Sequence, residues 1–417
     1  MRKGPGRAPS AVPKERVTPE IIDEVRTYEF LTPVFGGGVK VEGQHKRADP
    51  VTPVRGASIR GQLRFWWRAC NPRGCREVEE LRAAEDEVFG STHEPSRLTV
   101  EVVTQPASYA PVEVLAGKFD AAPGMGEIAY GAFPLRAEAR SGAGGTHGVL
   151  HQFSGPWQVR LRYPSGAQRD MAAALWAFAH LGGLGGRTRR GFGAVAEVQP
   201  GSTPKSSIEE GWASHVRGLQ VSWPHLPAWT EAARAFVVRR EPHWQTGLAA
   251  QKFLLGKLRE LRQGTMGRRG GGTRRAGRSF WPEPDEIRRL TGRAHPNHPP
   301  EHPVHAFPRA AFGLPIIFQF KGEQDGEPAQ TTLVPRGHNR WGSPLVLRPH
   351  RGPAGIEAIA FLLDPRVPDE VELRGKRERD RWQVKRVLSA GDARKTSPPM
   401  GAKAIDPLQR FLEFFHE

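Results

Sequence analysis

The stretch GGLGGRTRRGFG, from Gly182 to Gly193, combines six glycines with the arginines Arg187, Arg189 and Arg190. Glycine allows positive φ angles and lets another backbone come close. Consecutive exposed amides with guanidinium groups beside them form a concavity suited to a phosphate chain. The stretch, which has Gly185 and Gly186 at its centre, is therefore a candidate binding site for a phosphate-bearing ligand. The alternative is a flexible helix-to-strand turn with solvated arginines.

A nucleotide-triphosphate loop is the obvious rival, because the sequence from Gly186 to Thr188 resembles a truncated Gly-Lys-Thr. That loop follows a strand and opens a helix. Here residues 171–181 form a helical pattern, and Gly182 is its natural end. The first glycine of the motif would also fall on Leu181, so we exclude a nucleotide-triphosphate loop.

A second group of arginines lies on a predicted helix over SIRGQLRFWWRA, which Ser58 could cap. Its apolar residues share one broad arc, whereas Arg60, Arg64 and Arg68 recur every four residues on another. The arginine stripe is either an ordinary solvated face or an anion-binding one. Lys40, in the polar loop before this helix, and Arg55, just ahead of it, are candidate contacts of the same kind.

A third basic stretch, GRRGGGTRRAGR, lies at 267–278 within a predicted loop over 264–280 and has five arginines and five glycines. Such a composition supports no packed core. Flexible Gly/Arg loops suit contact along an RNA strand without reading its sequence, and a solvated loop is the alternative. The candidate contacts here are Arg274, Arg275 and Arg278.

Metal and nuclease chemistry find little support in the sequence. Four histidines, His295, His298, His302 and His305, lie in a proline-rich loop at 292–306 without a completing ligand set, so we predict no metal and no cofactor. Metal-independent RNA cleavage needs a general base, commonly a histidine. The loop histidines that could serve are His45, His147 and His151, and the carboxylates Asp23, Asp49, Asp86 and Glu87 show no spacing that would gather them around two metals.

The elements that must position these residues follow a recognisable order. Residues 17–200 are predicted as strand, helix, strand, strand, helix, strand, the order of a ferredoxin-like unit. The expected aromatic platform of an RNA-recognition sheet is not evident. The predicted segments are a basic arm at 1–16, an insertion at 104–146, a linker at 201–213 and a second mixed α+β unit at 214–417.

The composition and net charge of the chain fit a negatively charged partner. The 417 residues contain 61 Lys+Arg and 44 Asp+Glu, a net charge of +17, and the basic residues cluster. Clustered positive charge indicates a polyanion. The longest apolar run, residues 171–179, is too short to span a membrane. With only two cysteines, Cys70 and Cys75, we expect reduced thiols and a cytoplasmic protein.

Several ordered motifs resemble the RAMP superfamily of CRISPR-associated proteins. In the first half they are TPVFGGG at 32–38, RGASIRGQLRFWWR at 55–68, FGS at 89–91 and the stretch at 182–193. In the second half, GRSFWPEPDEIR at 277–288, FPRAAFGLPI at 307–316 and SPLVLRP at 343–349 resemble the branch that forms subunit one of type III-B Cmr complexes.

The resemblance implies an α+β fold of two tandem ferredoxin-like (RRM-like) domains with long loop insertions. It further implies a non-catalytic subunit of an RNA-guided antiviral effector, near the 3′ end of the guide RNA, that helps to capture target RNA beside other Cmr subunits. RNA contact is carried onto Arg187, Arg189 and Arg190, and on weaker grounds onto Arg60, Arg64, Arg274, Arg275, Arg278 and Arg309. Which RNA strand is touched stays open. A guide-processing endoribonuclease and a purely architectural subunit are the alternatives.

Overall fold

A computed structural model of the chain describes residues 20–37, 49–116, 120–135, 148–198, 207–216, 237–270, 278–363, 368–401 and 406–417. Several predictions fall outside these residues, namely those for the arm at 1–16, Lys40, His45, His147, Arg274 and Arg275.

The first half contains the elements that the sequence predicts, with additions. In chain order they are β1 Ile21–Phe30, α1 Gly56–Cys70, α2 Val78–Phe89, β2 Thr99–Thr104, β3 Ser108–Glu113, β4 Leu115–Ala116, β5 Asp120–Ala121, α3 Gly126–Gly131, β6 Val149–Ser154, β7 Trp157–Pro164, α4 Gln168–Leu181 and β8 Val195–Glu197. Four of the strands form an antiparallel sheet in the order β2-β7-β1-β8. Helices α1 and α4 pack together on it.

Alternation along the strands decides which face of this sheet is buried. On β7, Trp157 and Tyr163 point into the core, whereas Arg160 and Arg162 point outward. On β1, Tyr28 and its neighbours at the end of the strand are likewise buried. The aromatic rings of the two central strands therefore stabilise the core, and this agrees with the expectation that the sheet offers no stacking platform.

The predicted insertion at 104–146 contributes to the core through its helix α3, whereas its strand β3 is largely exposed. Strand β3 pairs with β6, and helix α3 packs on a helix of the second half. Ile128 and Ala129 of α3 share an apolar cluster with Phe192 of the Gly/Arg stretch and with Leu254 and Leu255 of the second half. The segment thus joins the two halves of the molecule.

The second half is a mixed α+β arrangement whose described strands form two larger sheets and one two-stranded sheet. Its elements are α5 Ile208–His215, β9 Val237–Trp244, α6 Gly247–Gln263, β10 Arg268–Arg269, β11 Arg278–Ser279, α7 Glu283–Thr291, β12 Ile316–Phe318, β13 Thr331–Pro335, β14 Leu345–Gly352, β15 Gly355–Leu362, β16 Glu370–Arg374, β17 Arg381–Lys385, α8 Ala390–Lys395 and α9 Pro407–His416. One larger sheet has the order β14-β15-β9, and the other has the order β12-β13-β16-β17.

The α+β class is confirmed, with two departures from the predicted layout. The strands β9, β14 and β15 form a three-stranded sheet, and no described strand pairs with the other edge of β9. Residues 208–213 of the predicted linker are helical, because Ser207 and Glu210 form a capping box and Trp212 packs into the first-half core.

The β14-β15 hairpin lies between the two halves and is buried on both faces. Val346 and Ile359 belong to the core of the first half, whereas Leu345, Leu347 and Ala358 belong to the core built on α6 and α9. A strand covered on both faces loses the alternating pattern of polar residues, and β14 is indeed buried along nearly its whole length. The two halves therefore form one continuous packed structure.

A buried chain of polar side chains also crosses this junction. His180 Nδ1 of α4 lies 2.8 Å from His350 Nε2 of β14, and His350 Nδ1 lies 3.0 Å from Glu357 Oε2 of β15. Glu357 in turn accepts a hydrogen bond of 3.0 Å from Arg240. Burial, with His350, Arg348 and His215 nearby, lowers the pKa of His180 to about 3, and burial also lowers the pKa of His350.

These histidines predict acid sensitivity. The folded-state pKa of both histidines is lowered, whereas the unfolded chain takes up protons below its ordinary histidine pKa of about 6.5, so stability is lost as pH falls below that value. For His180 alone we expect the free energy of unfolding to drop by about 1 kcal/mol between pH 7.5 and 5.5. Urea titrations at both pH values measure it.

In the His180→Phe variant, which keeps a ring stacked on Trp176, the drop should be smaller by about that amount. Replacing the exposed His93 by Gln should leave the drop unchanged. An equal drop in wild type and His180→Phe would show that His180 is not the group responsible.

Candidate nucleic-acid interface

The Gly/Arg stretch is a tightly folded connection between α4 and β8. Helix α4 ends at Leu181 with Gly182 as its C-cap, as the sequence predicts. A 3₁₀ turn spans Thr188–Arg190, and Gly183 and Ala194 form a bridge that closes the loop. Arg187, which precedes the turn, has a left-handed φ of 57°. The stretch is therefore an ordered loop, and the alternative of a flexible turn does not describe it.

The described part of the TPVFGGG motif, residues 32–37, packs directly against this loop. The amide of Gly186 donates to the carbonyl of Phe35 at 2.6 Å, and the amide of Gly193 donates to Pro33 at 2.9 Å. A Cβ on Gly185 would come within 2.9 Å of the Phe35 and Gly36 carbonyl oxygens, so a side chain there would collide with the neighbouring backbone. Gly185 is nonetheless exposed. Two glycine-rich motifs thus meet and present bare backbone to solvent.

Arg189 and Arg190, which were predicted to bind RNA, hold the two halves of the molecule together. Arg190 donates to the carbonyls of Leu345 at 2.8 Å and Phe312 at 3.3 Å. Arg189 donates to the carbonyl of Ser343. Burial, followed by the nearby guanidinium groups, lowers the pKa of Arg190 to about 9, and burial also lowers the pKa of Arg189. Both arginines thus donate hydrogen bonds inside the protein, and RNA contact by them stays a prediction.

Arg348, in the SPLVLRP motif, is the counterpart of this contact from the second half. It is fully buried, and its guanidinium donates to the carbonyls of Gly182 at 2.7 Å and Ala179 at 2.9 Å, and also to those of His180 and Val195. Arg348 belongs to a recognised motif, but the sequence indicated no contact for its side chain. Nothing in its spacing indicated that it would be buried.

Arg187 differs from the other two arginines of the stretch. It is half-buried over the Phe35 ring, 5.9 Å from the centroid. Burial, and then the neighbouring Arg340, lowers its pKa. Among the described residues, no acceptor takes a hydrogen bond from its guanidinium. Arg187 therefore keeps its donors available beside the exposed backbone of Gly185.

The arginine stripe of α1 lines a cleft of about 690 Å³ between α1, α2 and the FGS motif. Arg60 donates to the Phe89 carbonyl, and Arg64 and Arg68 both contact the buried carboxylate of Glu85. These contacts partly neutralise the stripe. Arg55 directly precedes the helix, is exposed and pairs with no described residue.

The sequence predicted that Ser58 would cap α1, but it does not. The helix begins at Gly56, so Ser58 lies within its first turn, and Arg55 occupies the N-cap position without a side-chain hydrogen bond. A Cβ on Gly56 would come within 2.8 Å of the Val100 carbonyl oxygen. Close packing against β2 thus accompanies the earlier start of the helix.

Arg278 and Arg309 are also engaged within the protein. Arg278 lies 3.2 Å from Asp285 and 3.3 Å from Glu301. Arg309 lies 3.1 Å from the fully buried carboxylate of Glu283. Ion pairs of this kind stabilise the fold around α7, and RNA contact by these two arginines stays a prediction. The described ends of the 264–280 segment pair as β10 and β11.

No group of three or more His, Cys, Asp or Glu side chains that could hold a metal occurs in the part of the chain that the structure describes. Within the Pro/His loop, His298 lies 3.0 Å from Glu327, and His305 lies 2.7 Å from Glu286. His151 is buried in β6 against Tyr109, with 4.7 Å between ring centroids. Its position suits packing and gives poor access to a ribose hydroxyl.

Comparison with known proteins finds a family match for part of the first half. Residues 27–196, which contain the four-stranded sheet and the Gly/Arg loop, match the model of the RAMP superfamily. This match confirms the RAMP superfamily resemblance for that part of the chain. In addition, no helix among the described residues is long and apolar enough to cross a membrane.

Particular relatives are found as well. The chain is 29% identical over 153 residues to CRISPR system Cmr subunit Cmr1-1 of Pyrococcus furiosus; the match covers 36% of this chain and less than half, 42%, of that relative. Cmr1 from Pyrococcus furiosus in its apo form has a similar structure, with a TM-score of 0.47, 19% identity and coverage of 87% and 94%. A type III-B Cmr-beta complex bound to cognate target RNA contains a chain with a TM-score of 0.46, 10% identity and coverage of 94% and 100%.

The packing of the loop predicts which glycine tolerates a side chain. Gly193 has a φ of 59°, and a Cβ there would lie 2.0 Å from the Leu184 carbonyl oxygen; Gly337 has a φ of 74° but nothing within 4 Å. Both Gly→Ala variants incur the left-handed penalty of about 1 kcal/mol. Only Gly193→Ala adds a backbone collision, so urea titration should show it to be destabilised by at least about 2 kcal/mol more than Gly337→Ala. Equal losses would contradict the close approach.

Proposed function

We propose that this protein is a non-catalytic RNA-binding subunit of a type III-B CRISPR effector complex. In this role it helps to capture target RNA near the 3′ end of the guide RNA, beside other Cmr subunits. The RAMP superfamily match and the similarity to a protein named as a Cmr subunit support the proposal that the chain belongs to such a complex.

We also propose that the second half derives from a second ferredoxin-like domain, since β9, β14 and β15 have three of its four strand positions.

The exposed surface around Arg187 is the observation that most directly supports RNA binding. Its guanidinium is held over the Phe35 ring without an acceptor among the described residues, and the bare backbone of Gly37 and Gly185 lies close by. Backbone without side chains lets a ribose-phosphate chain approach closely. A guanidinium offers the planar donors that phosphate oxygens prefer. The net charge of +17 adds long-range attraction for a polyanion.

RNA binding of this kind predicts a salt-dependent affinity. If the protein engages about four phosphates, a plot of log Kd against log salt on single-stranded RNA should have a slope of magnitude near 3. Arg187→Gln should reduce that magnitude by about 0.7, the contribution of one phosphate. Arg394→Gln, which removes an exposed arginine from α8, serves as the matched control. Filter binding across a salt series measures both, and absent or salt-independent binding would favour a purely architectural subunit.

The non-catalytic part of the proposal predicts that labelled repeat RNA stays intact when it is incubated with the purified protein in EDTA. The burial of His151 supports this expectation. Alanine variants of His45, His147 and His151 serve as tests of the alternative. Specific cleavage that disappears in one of them would replace a binding subunit with a metal-independent endoribonuclease.

A further inference from the structure

Four arginines and one tyrosine lie where the two halves of the molecule meet. Arg189 donates to the Ser343 carbonyl, and its Nη1 would lie 3.1 Å from a Cβ on Gly342, so the loop that contains Arg340 lies against the Gly/Arg loop. Arg190 donates to the Phe312 carbonyl, and the Arg262 guanidinium lies 5.5 Å from the centroid of the Phe312 ring. Arg187 and Arg190 come from the Gly/Arg loop, Arg262 from the end of α6, and Arg340 from the loop between β13 and β14. Tyr130, at the end of α3, accepts a hydrogen bond of 3.0 Å from Arg262 Nη1. Four segments that are distant in sequence thus contribute to one basic cluster, which we call the junction cluster.

The junction cluster has no carboxylate of its own among the described residues. Neither Arg187, Arg190, Arg262 nor Arg340 forms an ion pair there, in contrast to Arg278, Arg288 and Arg309. Arg190 donates to backbone carbonyls, which carry no net charge. The Tyr130 hydroxyl oxygen accepts from Arg262, and its proton has no acceptor among the described residues.

The charges of the cluster act on one another. Arg340 lowers the pKa of Arg187, and Arg262 and Arg187 lower the pKa of Arg190, in each case after the effect of burial. Like charges at short range repel strongly where water is partly excluded. An anion placed among them would relieve that repulsion. A phosphate group also matches the donors, because guanidinium groups bind its oxygens in a planar, two-pronged geometry.

We propose that one phosphodiester group of single-stranded RNA binds between Arg187 and Arg340, with the Tyr130 hydroxyl as a further donor. Arg262 orients Tyr130, and Arg190 adds positive charge from inside the junction. The exposed position of Arg340 and the half-buried one of Arg187 leave this place open to a strand. Because the two arginines come from different halves of the chain, the phosphate site requires both. The inference rests on the proposed RNA-binding function and names the second-half residue that would complete it.

A double-mutant cycle on the full chain tests the shared phosphate. Arg187→Gln and Arg340→Gln should each weaken binding of a labelled single-stranded RNA by about tenfold, the effect of losing a charged hydrogen bond. The double variant should be weakened far less than the product of the two effects, because both side chains act on the same group. Tyr130→Phe should weaken binding by about threefold, and Arg394→Gln should bind like wild type.

The outcomes separate this proposal from the function on which it rests. If wild type shows steep salt dependence but Arg340→Gln binds equally well, the junction site is wrong and RNA binding stands. Fully multiplicative effects would place the two arginines on separate phosphates and overturn the shared site. If wild type binds no RNA, both proposals fall. Thermal unfolding by circular dichroism should show the same midpoint for Arg340→Gln and wild type, since the side chain is exposed.

Discussion

The burial of the Arg348 guanidinium is the constraint on which the rest of the structure depends. A charged group removed from water is costly unless every donor finds an acceptor. Here no carboxylate is used; instead, the carbonyls at the end of α4 and at the start of β8 converge on the side chain. The Gly182 and Val195 carbonyls come from the start of the Gly/Arg loop and from the strand that follows it. The glycines of the loop and the arginine of the second half therefore specify each other, and with them the docking of the two halves.

This constraint explains why the loop has two kinds of arginine. Arg189 and Arg190 follow the positive-φ residue Arg187 and are directed by the 3₁₀ turn toward the carbonyls of the second half. Arg187, which precedes that turn, lies over Phe35. One short segment thus both fastens the junction and leaves a cation beside it. A loop fixed in this way holds its free guanidinium in place before any ligand arrives, which lowers the entropic cost of binding.

Local patterns in the sequence predicted the first half well. The alternation in residues 157–163 and the four-residue spacing of arginines on α1 reflect burial of one face, which neighbouring residues alone reveal. The second half was harder to predict, because β14 is covered on both faces and loses its alternation. The roles of Arg278 and Arg309 depended on Asp285 and Glu283, and that of Arg190 depended on Leu345. Such long-range partners cannot be recognised from spacing, so a cluster of arginines in a sequence overstates the charge that remains free.

The net charge of +17 overstates the positive charge that is free to attract a polyanion. Much of the arginine content near the predicted motifs is matched by buried carboxylates, as with Arg64 and Arg68 on Glu85, or by backbone carbonyls. Matched arginines contribute to stability and add little to the local potential outside the protein. Attraction for a polyanion at short range must then come from the cations that the fold leaves unmatched. Arg187, beside the exposed backbone of Gly185, and the exposed Arg340 meet that condition, whereas Arg64 and Arg68 do not.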